Sequence, residues 1–302
     1  MQNNKYINDY EYEKDTNIQI IVLLDSIKFI GKFAFRNCYN LIRVDISENS
    51  LLEKIDGYAF YGCKRLERID IPVSLTLIGN YAFYGCINLK SIYIPENVRN
   101  IGEYAFYECI RLEEMKISYG LIGLGICVFR GCINLEKIDI PDSVISIGKG
   151  AFIMCEKLKS IKLSKNIKLI DDVTFIWCEK LEDIILPIGI ERIGIQSFRG
   201  CINLEIINIP ESIKSIKVGA FYDCKKLKKI ELNNNIESIE NNTFRGCQNL
   251  EIINIPYSVK IINDNAFCDC KNLEKIIINN KNTQISINAF LNCVKLKKIS
   301  IN

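Results

Sequence analysis

The chain contains no histidine. That removes the commonest general base and one of the commonest metal ligands. Serine–histidine and cysteine–histidine nucleophilic sites are excluded with it. Net charge is nearly absent too: 39 basic against 36 acidic side chains leave +3 over 302 residues. So small an excess gives little pull toward nucleic acid or an anionic membrane. Six prolines and 17 glycines are too few for a disordered or collagen-like chain. Long apolar runs are missing as well. The stretch from Ile18 to Leu24 is interrupted by Gln19 and falls far short of the roughly 20 residues a membrane helix needs. The start of the chain carries Asp9, Glu11, Glu13 and Asp15, where an export signal would show basic residues and then an apolar run. By these absences the chain is expected in the cytoplasm, without membrane insertion.

What the sequence has instead is a period. A phenylalanine three residues before a cysteine recurs twelve times, from Phe35/Cys38 and Phe60/Cys63 to Phe267/Cys270 and Phe290/Cys293. The first cysteine-to-cysteine step is 25 residues and the other ten are 23. A fixed period in this range marks a stacked solenoid, in which each unit buries its apolar side only against its neighbours.

One unit reads as follows. After Cys86 come Leu89, Ile92 and Ile94, in the pattern L-x-x-I-x-I. Alternation places both isoleucines on one face of a short strand. All six prolines (Pro72, Pro95, Pro141, Pro187, Pro210 and Pro256) directly follow such a strand, where a residue without a ladder donor ends it. A short V-x-x-I piece follows, as in Val98–Ile101, then often glycine, then Ala-Phe-x-x-Cys. The spacing of Ala105 and Cys109 predicts a short helix or single turn that points Phe106 and Cys109 inward. Ile18, Ile21 and Leu23 extend the pattern backward. Residues 18–302 are therefore the solenoid, and residues 1–17 a polar lead-in or partial cap.

The string A-F-x-x-C-x-x-L-x-x-I-x-I-P resembles the BspA-type leucine-rich repeat, over about residues 18–302. The resemblance implies a right-handed leucine-rich-repeat superhelix with a parallel β-sheet on its concave face. It also implies a non-catalytic protein with no cofactor, and for many members adhesion at the cell surface.

Twelve of the fourteen cysteines share one phase. A 23-residue step stacks thiols instead of gathering them into the close C-x₂₋₄-C pairs of a zinc site. Each is expected to act as a small buried hydrophobe. Cys127 and Cys268 fall out of phase, and Cys268 is expected to face solvent, open to modification.

Two candidate partner surfaces stand out. The residues between the buried isoleucines face outward. Many are charged, as at Arg68/Asp70, Glu114/Lys116, Lys137/Asp139 and Lys229/Glu231. In later repeats Ile185, Ile206, Ile252 and Ile277 take these slots, with Asn208 and Asn254 beside two of them. Gathered exposed apolar residues commonly mark an interaction site, whereas scattered β-formers on a tolerant surface mean nothing. The second candidate is aromatic: Tyr58/Tyr61, Tyr81/Tyr84 and Tyr104/Tyr107 recur in three consecutive units. They form either an interface or a ladder that stabilises the stack.

A nucleic-acid surface is not indicated. The lysine runs 225–229 and 295–298 are interrupted by core leucines, and Glu231, Glu251 and Glu274 oppose them. Asn241-Asn242-Thr243 is a glycosylation sequon by pattern alone. An enzyme would need a carboxylate pair such as Glu113/Glu114, but adjacent strand residues point to opposite faces. The expected function is a scaffold that recognises a protein partner along one face. The alternative is self-association through the strand edge Leu296–Ile301.

Overall fold

The computed structural model describes residues 5–302. It divides into two compact units, Met1–Ser164 and Lys165–Asn302. Each unit is a stack of leucine-rich-repeat coils, and every pairing between strands is parallel.

The Ala-Phe-x-x-Cys segment is a chain of turns, not a helix, and no helix occurs among the described residues. The reason lies in where its amides go. The N–H groups of Tyr58, Phe60 and Gly62 donate to the carbonyls of Asn80, Ala82 and Tyr84 in the next coil, at 2.9, 2.8 and 2.7 Å. Those of Ala59, Tyr61 and Cys63 donate back to Asp56, Tyr58 and Phe60 at 3.3, 3.1 and 3.1 Å. A helix would keep every one of these bonds within the segment. Alternation instead welds coil to coil, at the cost of left-handed backbone at Tyr58 (φ 60°) and Gly62 (φ 70°). The second position is mostly glycine, asparagine or aspartate, as at Asn37, Gly85, Gly200 and Asp223, which tolerate that conformation.

This weld fixes the core. Phe35, Phe60, Phe83, Phe106, Phe129 and Phe152 are fully buried in the first unit, and Phe175, Phe198, Phe221, Phe244 and Phe267 in the second. In each unit the rings stack in a column, with centroids 5.2 Å apart for Phe35–Phe60 and 5.4 Å for Phe198–Phe221. The repeat cysteines fill the adjoining column. Repeat thiols donate to the phenylalanine carbonyl of the coil before, as Cys63 to Phe35 at 3.0 Å, Cys224 to Phe198 at 3.2 Å and Cys270 to Phe244 at 3.1 Å, while Cys38 donates to the Tyr12 carbonyl at 2.9 Å. All fourteen cysteines are free thiols, and no cluster of metal-ligating groups occurs among the described residues.

Three coils carry a hydroxyl where eight others have alanine and one has Val128. Thr174 and Thr243 donate to the carbonyls of Asp171 and Glu240 at 2.7 and 2.8 Å. The sequon threonine is thus buried and holds its own turn. Ser197 is fully buried, and its Oγ has no hydrogen-bond partner. A buried hydroxyl without a partner costs about 1–3 kcal/mol. Ser197→Ala, which restores the repeat residue, is therefore expected to stabilise the second unit by about 1 kcal/mol, read from urea unfolding.

The lead-in is built on the same plan as far as it is described. Strand Tyr6–Ile7 pairs with Phe29–Ile30, and Tyr12 stacks on Phe35 at 5.2 Å in the phenylalanine column.

The L-x-x-I-x-I strands pair unevenly, and proline explains the pattern. Where the residue after the strand has an N–H, it can donate to the preceding coil. Ser118, Asn279 and Asn302 donate to the carbonyls of Ile94, Ile255 and Ile278 at 2.9, 3.1 and 2.9 Å. Those coils pair at four registered positions. Where proline follows, the donor is gone. The coil ending at Pro72 pairs at two positions, that ending at Pro141 at one, and that ending at Pro210 through the single bridge Asp183–Ile206. The strands before Pro95 and Pro256 have no pairing with the preceding strand in the sheet order.

Candidate functional site

In four strands of the first unit the outward charges neutralise each other within the strand, whereas Ser91 and Tyr93 take these slots in the strand before Pro95. Residues i and i+2 share a face, and ion pairs join Arg43 to Asp45 (2.8 Å), Arg68 to Asp70 (2.9 Å), Glu114 to Lys116 (3.2 Å) and Lys137 to Asp139 (3.8 Å).

The second unit breaks this rule. One strand keeps its pair, Lys229 to Glu231 at 2.6 Å. On either side of it stand the isoleucine and asparagine rows. Ile185, Ile206 and Ile252 are 84%, 54% and 53% exposed, and Asn208 and Asn254 are exposed. Ile277 is half-buried. The register sets Asn254 beside Ile277 and Asn208 beside Glu231. The structure therefore makes two groups: Ile252, Asn254 and Ile277 on one side of the Lys229–Glu231 pair, and Ile185, Ile206 and Asn208 on the other. Asn254 Oδ1 accepts from Asn279 Nδ2 at 2.8 Å, so one candidate is already engaged in an amide ladder.

Clefts open on the strand surface next to coils ended by proline. One of about 520 Å³ lies between Lys229–Glu231 and the strand before Pro256, and Ile252 and Asn254 line it. One of about 390 Å³ next to the coil of Pro210 is lined by Asp183 and Ile206. Others adjoin the coils of Pro95 and Pro72, at about 430 and 500 Å³. Sequence reasoning saw the prolines as strand ends and missed these openings. Their signal was proline present in one coil and absent from the next.

The six tyrosines of the second candidate form two columns. Tyr58, Tyr81 and Tyr104 stack with centroids 4.6 and 4.8 Å apart, and Tyr61, Tyr84 and Tyr107 at 4.7 and 4.6 Å. Arginines bracket the second column: Arg36 lies 5.7 Å from the Tyr61 ring and Arg130 lies 5.5 Å from that of Tyr107. In the second unit Tyr222 sits between Arg199 and Arg245 at 4.8 and 5.6 Å. Apart from the outer face of Tyr104, the ring faces are thus covered by one another, by Phe33 or by guanidinium groups. Edges and hydroxyls remain for solvent. Burial, followed by the nearby Glu108, pushes the Tyr84 phenol up to about 12.

Cys268 does not face solvent. It is 1% exposed, and its Sγ lies 3.3 Å from Asp269 Oδ2. Burial, then the Asp269 carboxylate, pushes the thiol up to about 11, away from the thiolate that modification needs. The turn geometry accounts for the difference. Cys268 occupies the column of the half-buried tyrosines Tyr84 and Tyr222, and its short side chain does not reach out as theirs do. Cys127, in the Tyr58 column, is buried as well.

With period, ladder and core in place, comparison with known proteins is decisive. Residues 5–132, 99–219 and 191–302 match the BspA type leucine rich repeat region, in six copies. The chain belongs to the BspA-type leucine-rich repeat family. Among solved structures it is similar to a leucine rich cell surface protein from Faecalibacterium prausnitzii A2-165, at 28% identity and a TM-score of 0.60, covering 98% of this chain and 83% of that one. It is also similar to a leucine rich repeat protein of T. pallidum, at 29% identity and a TM-score of 0.51, covering 68% of this chain and 85% of that one. The pneumococcal vaccine antigen PcpA, at 22% identity, shares the fold, with a TM-score of 0.56 over 94% of this chain and 68% of that one. A comparison with curated proteins gave no match. BspA-type repeats are a structural and binding family, generally without catalysis. No helix among the described residues is long and apolar enough to cross a membrane.

Proposed function

We propose that this BspA-type chain is a non-catalytic protein-binding scaffold of the adhesion kind, which recognises a protein partner along the strand face of its second unit. One observation carries the reading. Ile206 and Ile252 stand outward and about half exposed in rows where the neighbouring side chain is asparagine, while the row between them places the Lys229–Glu231 ion pair there. Apolar groups flanked by hydrogen-bonding amides, with charge tied up nearby, suit a desolvated protein contact. The F. prausnitzii relative is a cell surface protein, which agrees with an adhesion role. The tyrosine columns are read as a stabilising ladder, because their stacking faces, the outer one of Tyr104 apart, are already occupied.

The test is affinity capture from the native cell with identification by mass spectrometry, repeated with Ile206→Glu and Ile252→Glu. Both sites lie outside the core columns, so the fold and its unfolding midpoint are expected to persist while capture falls about tenfold or more. Undiminished capture dismisses the strand face. A second reading is self-association through Leu296–Ile301, favoured by the 44% and 56% exposure of Ile299 and Ile301. Light scattering on the same protein separates the two: constant monomer mass across concentration removes self-association.

A further inference from the structure

The opening before Pro256 has groups on offer that its neighbours do not. In the adjoining coils the residue after the repeat leucine donates to the preceding coil: Lys228 to Glu205 at 3.0 Å, Glu274 to Glu251 at 2.9 Å and Lys297 to Glu274 at 3.1 Å. The Glu251 N–H makes no such bond to Lys228. On the other side, the Ile255 and Ile278 carbonyls accept from Asn279 and Asn302, while the residue at the equivalent repeat position after Leu232 is Pro256, which has no N–H to give its carbonyl. One amide donor and one carbonyl acceptor are left without their ladder partners at the two ends of a cleft of about 520 Å³.

The side chains around it are just as selective. Lys228 is held by Glu205 at 2.8 Å and Lys229 by Glu231 at 2.6 Å. The Glu251 carboxylate makes no ion pair among the described residues, although it lines the same cleft. Ile252 supplies exposed apolar surface and Leu232 is half-buried. Unpaired donor, unpaired acceptor, apolar wall and one uncompensated negative charge together describe the complement of an extended polypeptide. A phosphate-bearing ligand would meet the carboxylates of Glu231 and Glu251.

We propose that this cleft binds an extended peptide segment of the partner, backbone to backbone, through the Glu251 amide and the Leu232 carbonyl that Pro256 leaves open. An apolar side chain of the segment rests on Ile252 and Leu232, and a basic one faces Glu251. This rests on the scaffold reading and narrows it to one row and one recognition mode. The Pro95 opening lacks that charge: its lining holds the paired Arg68 and Asp70 with Ser91 and Tyr93.

The probe is fluorescein-labelled Val-Lys-Val-Lys-Val amide, titrated by anisotropy against the full chain, beside its backbone N-methylated form and Val-Glu-Val-Glu-Val. The unmodified basic peptide is expected to bind at least tenfold more tightly than either control. Pro256→Asn supplies the donor that Asn279 and Asn302 supply in their coils, closes the ladder and removes binding at least tenfold. Pro95→Asn leaves binding unchanged. Because asparagine is native at this position in other coils, both variants are expected to fold, and circular dichroism checks it. Equal binding of the N-methylated peptide, undiminished binding by Pro256→Asn, or no binding of the basic peptide at millimolar concentration overturns the proposal. If the cleft fails while capture still depends on Ile206 and Ile252, the scaffold reading stands alone. If capture ignores those isoleucines but Pro256→Asn abolishes peptide binding, the cleft stands without it.

Discussion

Phe221→Ala is expected to lower the stability of the second unit by about 3–5 kcal/mol. Phe221 is fully buried, with ring neighbours Phe198 at 5.4 Å and Phe244 at 5.6 Å. Truncation leaves a cavity and uncovers one face of each neighbour, and aromatic pairs contribute about 0.5–1.5 kcal/mol beyond burial. The backbone bonds at this site survive. The Phe221 N–H still reaches Thr243 at 2.9 Å, and its carbonyl still accepts from the Cys224 amide and the Cys247 thiol at 3.2 and 3.3 Å. The loss is therefore one of packing. Since each coil touches only its neighbours, the damage should be local. Hydrogen exchange read by mass spectrometry should show lost protection in the coils of Phe198, Phe221 and Phe244, with the coils of Phe60 and Phe83 unchanged. A loss under about 1 kcal/mol, or uniform loss along the chain, would contradict the stacked-column account.

Native protein at pH 8 is expected to take up one equivalent of a maleimide rapidly, at Cys293, and the other thirteen thiols about a hundredfold more slowly or less. Thirteen of the fourteen cysteines are buried, and Cys293 is half-buried. Two effects act in the same direction. Burial blocks the reagent, and it also pushes the thiol up, as at Cys86, Cys109, Cys155 and Cys224. Cys293 moves the other way, because the Cys270 thiol beside it stabilises its thiolate, and Cys270 is correspondingly raised. The sign follows for stability. A thiol raised in the fold resists ionisation, so its contribution is intact below its unfolded value near 9 and is lost as pH climbs toward the folded value. All fourteen should label at once in denaturant. Rapid native labelling at Cys268 or Cys127 would show that these out-of-phase positions are not closed. Rapid labelling of the whole column would remove the core assignment.

The period carried most of the fold. Phe, Cys, Leu and Ile at fixed phases have few ways to be buried except in columns, so the stack and its parallel strands were legible from residue types and spacing. The Ala-Phe-x-x-Cys turn was not. Local spacing suited a helical turn, but the amides of Tyr58, Phe60 and Gly62 are captured by the next coil, a partner that does not exist in a single repeat. The same limit misplaced Cys268. Its phase, shared with Tyr84 and Tyr222, looked outward, yet half-buried tyrosines reach solvent by length and a cysteine does not.

The candidate surface divides the same way. That Ile206 and Ile252 face outward follows from alternation alone. That Lys229 and Glu231 pair between them, and that the ladder opens beside Ile252, depends on what the adjacent coil can donate.

Amino-acid order alone settled the repeat and the buried columns, because these rest on hydrophobic phase. Three-dimensional arrangement decided which coils bond fully and which gape, which aromatic faces are covered and which thiols are shut away. Those outcomes depend on pairs of residues 23 positions apart meeting across a coil boundary, where a missing donor in one chain segment becomes an unanswered carbonyl in another.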